Sequence, residues 1–277
     1  MTDPTIPTVR RLQIDLETPI ERHWCGGDAF RTALFNALSM SFPAGEQIFI
    51  DSVRKGVAAL PEAARAAFAT EVQGFIGQEA THRRIHERFN AQLATQGLVN
   101  RWDGRILARR KRLLEPVAEP RAWVGVTAAT EHWTAIFAQH LLANPWLLEG
   151  AEPRLAALWQ WHSAEELEHR STAFDLYRAL GGNELWRKRL FRIVSFNFVV
   201  DTTRQTVNNL WRDGTLFKPS TWASAWRTLF GREGLVRRGF APWRAYLRAG
   251  FHPLQGDGSA GARWLGENAA LAPPVRS

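Results

Sequence analysis

Two short phrases constrain this chain more than anything else in it: Glu79-Ala80-Thr81-His82 and Glu166-Leu167-Glu168-His169. Each sets a carboxylate and an imidazole three residues apart, on one face of a helix, so both can aim at one point. Each is preceded at nearly equal distance by a glutamate with apolar flanks: Glu46 lies 33 residues before Glu79, and Glu131 lies 35 before Glu166. With 18 Glu and 8 His, chance supplies about half of one such spacing, so two alone are weak evidence. The matched upstream glutamates strengthen the pattern. Two helical hairpins joined by a longer connection from Gly97 to Pro120 predict a four-helix bundle with one long crossover. The expected class is all-α.

Periodicity and breakers give the elements in outline. A short helix is expected from Asp28 to Met40, then a break over residues 41–45, then a helix from Gly45 to Leu60. A long helix runs from Glu62 to Gln96 and closes at Gly97. A basic connecting helix covers 104–118. Helices follow over Arg121 to Ala143, Glu152 to Leu180, and Glu184 to Arg212, with shorter segments near 220–230 and 233–249. The division expected is an N-terminal segment (1–27), a bundle (28–182), a basic helical extension packed on it (183–256) and a loose Gly/Ala/Pro-rich tail (257–277).

Glu46, Glu79, His82, Glu131, Glu166 and His169 are the candidate ligands. Carboxylates hold the charge and imidazoles favour transition metals over calcium or magnesium, so the set suits a pair of iron or manganese ions. Glutamates in such apolar surroundings are costly unless paired or bound to metal. The plainer reading is Glu–His pairing on helix surfaces. Glu165 competes with Glu166, and the spacing to His169 favours Glu166. His86 and His162 lie one turn from the motif on the ligand face, as extra ligands, partners of ligands or ordinary hydrogen-bonded histidines. His132 points about 100° away from Glu131. Asp175 is expected in a structural ion pair, and Tyr177 and the nearby aromatics in the core. Cys25, the single cysteine, excludes an intramolecular disulfide and multi-cysteine metal sites. No phosphate loop, nucleophile elbow or HExxH occurs.

The four-helix set resembles the ferritin-like di-iron carboxylate superfamily over roughly residues 28–182. More closely, SFPAGEQIFIDSVR, FIGQEATHRRIH, TAATEHWTAIFAQHLL and WQWHSAEELEHRSTAFDLY are similar to the bacterial family described as predicted metal-dependent hydrolases, the likeness continuing to Phe251-His252-Pro253. The superfamily resemblance puts the six candidates on ligand positions and implies two iron ions, with manganese or a mixed Mn/Fe pair as variants. It implies a di-iron oxidoreductase that activates O2 to oxidise a hydrophobic, lipid-like substrate, served by an unknown electron donor. The alternative is a hydrolase using a metal-held hydroxide. A further alternative is a non-enzymatic iron-binding protein.

Charge divides the chain. From Asn183 onward there are 15 basic and 6 acidic residues, +9; before it there are 20 and 21, −1. The basic part interleaves Arg with Trp and Phe, which suits a membrane interface, single-stranded nucleic acid or helices that merely cap the bundle. Nucleic acid is the least favoured of these, and a homodimer is kept open. A hydrophobic content of 45% rules out general disorder. The opening MTDPTIPTVRRLQ has no apolar core of a secretory signal, and no apolar run approaches the roughly 20 residues of a membrane span. The expected location is cytoplasmic, with peripheral contact to the inner membrane.

Overall fold

A computed structural model describes residues 6–275; residues 1–5 of the N-terminal segment and 276–277 of the tail lie outside the described residues. The fold is all-α. Its helices are α1 (Ala29–Ala58), α2 (Glu62–Thr95), α3 (Trp102–Arg109), α4 (Pro120–Ala143), α5 (Pro153–His169), α6 (Thr172–Ala179), α7 (Glu184–Arg212), α8 (Pro219–Phe230), α9 (Leu235–Tyr246) and α10 (Ser259–Glu267). α1, α2, α4 and α5 make the bundle. α3 and a π-helical turn over Arg110–Leu114 carry the crossover.

Local chemistry sets the ends. Asp28 caps α1 by accepting from the Arg31 amide at 3.0 Å, and Asn183 caps α7 by accepting from Trp186 at 2.9 Å. Gly97, at φ +81°, takes the left-handed turn that follows α2.

The break expected at residues 41–45 does not occur: α1 runs straight through Pro43. Proline removes the amide that would bond the Ser39 carbonyl four residues back. Asn90 on α2 replaces it, its Nδ2 donating to Ser39 O at 3.0 Å. One helix therefore carries both Ser39 and Glu46. Conversely, the single helix expected over 152–180 is interrupted at Arg170-Ser171. There the Arg170 guanidinium, rather than the next turn of backbone, donates to the Leu167 carbonyl.

The tail expected to be loose from residue 257 onward instead contains α10, which packs on α5 and buries Leu265. Beyond it the chain pairs with the N-terminal segment, Val275 N donating to Val9 O at 2.8 Å and Gln13 N to Leu271 O at 2.9 Å. That segment is itself core: Leu12, Leu16, Ile20 and Trp24 are buried with Phe35, Phe89 and Trp159. α7 packs on α1 and α4, α8 on α1, and α9 on α4 and α8. Among the described residues no helix is long and apolar enough to cross a membrane.

Candidate metal centre

The four bundle helices bring all six candidate ligands into the interior: Glu46 from α1, Glu79 and His82 from α2, Glu131 from α4, and Glu166 and His169 from α5. None is more than 3% exposed. The helix spacing works as geometry demands, because i and i+3 on α2 and on α5 face the same axis. Donor atoms gather in two groups, Glu46–His82–His162 and Glu79–Glu166–His169, each with its atoms within 4.8 Å of one another. Glu131 borders the second group, its Oε2 3.2 Å from His169 Nε2.

Buried polar atoms ordinarily find hydrogen-bond partners. Here both oxygens of Glu46, Glu79 and Glu131, one oxygen of Glu166, His82 Nδ1 and His169 Nε2 have none. A cluster of four buried carboxylates that has only the Nε2 atoms of His169 and His162 for near donors is costly unless a cation supplies the missing partners. Oxygen and imidazole nitrogen are the donors a first-row transition metal takes, so the residues fit a pair of such ions.

The electrostatics carry the same strain. Burial, then repulsion from Glu79, Glu166 and Glu131, holds the Glu46 carboxyl well above the usual range. Burial raises Glu79 likewise and lifts Glu131 to about 7. Burial also opposes the charge on Glu166 and on His169, yet their partners outweigh it: His169 and His162 hold Glu166 well below the carboxylate range, and Glu131 with Glu166 holds His169 well above that of imidazole. Burial and the neighbouring His162 push His82 and His86 well down, leaving neutral imidazoles suited to ligation.

The residues left ambiguous by spacing take distinct places. Glu166 faces the cluster, 3.0 Å from His162 Nε2 and 3.5 Å from His82 Nδ1. Glu165 turns the other way and meets His82 Nε2 at 3.0 Å and Arg10 at 3.3 Å. His162 points its Nε2 inward and bonds His86 through Nδ1 at 2.8 Å. His86 is one step further out, its Nδ1 on Ser39 Oγ at 2.8 Å. His132 is turned away onto the Pro242 carbonyl, Asp175 pairs with His252 at 2.8 Å, and Tyr177 donates to the Asn183 carbonyl. Cys25 is buried, its thiol pushed up to about 12 by desolvation.

Sequence reasoning missed the residues that hold the histidines from behind. Arg10 on the N-terminal segment pairs with Glu165 and with Glu168 at 2.8 Å. Gln78 accepts from His169 Nδ1 at 2.8 Å through its Oε1, and its amide nitrogen donates to Glu168 and to the Thr8 carbonyl. Arg10 lies more than 150 residues from its partners, so no local spacing signals it. Gln78, next to Glu79, was the one signal within reach.

A cavity of about 200 Å³ reaches Glu46 from the side of α7 and the π-turn. Its exposed surface is largely apolar, with Phe42, Ile48, Phe49 and Phe198 in the lining, and the polar side chains at its wall include Arg109, Arg110, Thr130 and Thr134.

Residues 8–257 match the model of the family described as "Predicted metal-dependent hydrolase". The chain belongs to that family. No curated protein and no solved structure matches it. For this member of the predicted metal-dependent hydrolases, the matched span includes every candidate ligand as well as Arg10, Gln78 and Glu168 behind them.

Proposed function

We propose that the chain is an enzyme that holds two transition-metal ions between α1, α2, α4 and α5 and acts on a hydrophobic substrate placed in the cavity beside Glu46. The observation that carries the reading is the convergence of partnerless buried Glu and His atoms at the end of an apolar cavity. The family description supports hydrolysis as the reaction. Bound ions would supply Lewis acidity and a readily deprotonated water. His82 and His162 with Glu46, and His169 with Glu79, Glu131 and Glu166, would hold them. Phe42 packs on His86 and His162, ring centroids 4.6 and 4.5 Å apart, and shields that edge of the cluster from water. Glu46 borders both the donor cluster and the cavity, so its carboxylate would be the group placed to take the proton of the water that attacks a bound substrate.

A second reading, oxidation of the substrate with O2 by a di-iron pair (or its manganese or mixed counterpart), is favoured by two features. The donor set combines four carboxylates with three imidazoles, and the exposed surface of the cavity is mostly apolar, which suits a hydrocarbon-like substrate. Carboxylates tolerate a change in iron charge because they can shift between chelating and bridging modes.

One experiment separates the two. The protein is loaded anaerobically with ferrous ion, exposed to O2 and followed optically, and in parallel the manganese- and zinc-loaded forms are offered medium-chain esters. Ester turnover that disappears on chelation supports hydrolysis. Consumption of O2 with a transient absorbing species supports oxidation. Failure of the chain to retain any of these metals contradicts the proposal as a whole.

A further inference from the structure

α7 is built inside out. The residues it turns toward the protein are mostly polar: Arg187, Ser195, Asp201, Gln205 and Asn209 are all buried. Each has its partners there. Arg187 donates to the Tyr246 and Arg248 carbonyls, and Asp201 takes Arg105 at 2.7 Å and also Arg109. Gln205 bonds Val99 O at 2.9 Å, and Asn209 bonds Ala33 O at 3.2 Å. The opposite face is apolar and open. Leu185, Ile193, Phe196, Val199, Val207 and Trp211 are exposed, Phe196 to 70%. At 100° per residue these side chains fall on one stripe along a helix about 43 Å long. Past the helix end the stripe gains Phe217, 80% exposed, whose ring meets that of Trp211 at 6.0 Å.

A monomer in water rarely leaves so long an apolar stripe uncovered. The charges say what covers it. Arg189, Arg192 and Arg204 share the exposed face, while the two acids of α7 are otherwise engaged: Asp201 is buried with its arginines, and Glu184 is held by Arg187 and Lys188. The helices that follow, α8 and α9, contain no acidic residue at all. A second copy of this face would bring arginine against arginine. An anionic lipid surface would accept the arginines among its headgroups and the Phe, Trp and Leu side chains just beneath them.

We propose that the outward face of α7, continued by Phe217, docks on an anionic membrane surface. The cavity beside Glu46 opens on the same side, since exposed Ile193 of the stripe and half-exposed Leu113 of the π-turn both line it. Docking thus places the cavity mouth at the lipid boundary, where apolar molecules are concentrated. This docking stands apart from the reaction assigned to the metal cluster and does not depend on it.

The test is flotation of the full chain with phosphatidylcholine vesicles, with and without phosphatidylglycerol, at low and high salt. The chain floats with the anionic vesicles at low salt and less so at high salt, because screening weakens only the arginine contribution. Phe196→Asp loses binding by about tenfold or more, and Arg189→Glu with Arg192→Glu loses at least as much, since each arginine near an anionic surface contributes roughly a fivefold factor. Both changes lie on the exposed face, and unchanged helical circular dichroism shows that the variants fold. No flotation with anionic vesicles at low salt overturns the proposal. So does a wild-type dimer that Phe196→Asp converts to a monomer, or a preference for single-stranded RNA that abolishes vesicle binding.

Discussion

His82 Nε2 and Glu165 Oε2 sit 3.0 Å apart, both side chains closed off from solvent. The contact decides which imidazole nitrogen is left to face the cluster. Glu165 engages Nε2, so Nδ1 is left on the cluster side, 3.5 Å from Glu166 Oε1 and without a hydrogen-bond partner. Arg10 backs Glu165, and the same Arg10 holds Glu168, which receives Gln78, which in turn orients His169. One strand of N-terminal chain therefore steers both motif histidines.

Carboxylates that orient metal-binding histidines typically contribute ten- to a hundredfold to metal affinity, or roughly 1.5–3 kcal/mol. Glu165→Ala and Arg10→Ala are each expected to weaken metal retention by about that factor while leaving the helical content intact. Glu87→Ala, at an exposed position on α2, leaves it unchanged. Equilibrium competition with a chelator measures all three. Equal retention by Glu165→Ala and the wild type would remove the orienting role.

Metal uptake is expected to release protons. Glu46 and Glu79 are held well above the carboxylate range by burial and Glu131 at about 7, so the metal-free fold keeps protons that an unfolded glutamate sheds near pH 4.3. The folded state then binds more protons than the unfolded one, so these three groups make the metal-free chain less stable as pH rises from about 4.3 through 7. Glu166, shifted down, acts in the opposite sense. Ions need the carboxylates ionised, so apparent affinity climbs over the same window. Calorimetry in buffers of differing ionisation enthalpy measures the proton release directly. A proton count of zero at pH 6.5 contradicts this account.

Much of this was legible in the sequence, for identifiable reasons. The convergence of Glu46, Glu79, His82, Glu131, Glu166 and His169 is legible because Glu and His three apart on a helix leave a local signature, and so do the paired upstream glutamates. Pro43 misleads because its lost hydrogen bond is replaced by Asn90, almost fifty residues on, and only the tertiary structure brings the two together. The tail misleads for a similar reason. Its Gly/Ala/Pro composition reads as loose chain, yet its order comes from pairing with residues 9–13 at the other end of the sequence. Arg and Trp in the last third are visible as composition. That α7 buries its polar residues and exposes its apolar ones could be read only once the packing was known.

Gly74 links packing to the site. A Cβ there would lie 2.2 Å from the Pro7 carbonyl oxygen, a backbone atom that cannot swing aside. Gly74→Ala must therefore push the N-terminal segment off α2, at a cost of about 1–3 kcal/mol. It should carry Thr8 and Arg10 away from Gln78, Glu168 and Glu165, so stability and metal retention fall together. Gly104→Ala in α3, where a Cβ meets nothing within 4 Å, should instead stabilise the chain by up to about 1 kcal/mol. Thermal unfolding of both variants, with and without metal, checks the pair; a Gly74→Ala protein as stable as the wild type would show that the segment is not held so closely.

The most direct test of the central claim is anomalous scattering from crystals of the iron-loaded protein, with data on both sides of the iron edge. Two peaks per chain are expected, one within reach of Glu46, His82 and His162 and one within reach of Glu79, Glu166 and His169, with both lost in Glu79→Ala. Absence of any peak among these side chains after loading, or a single ion bound elsewhere, would contradict it.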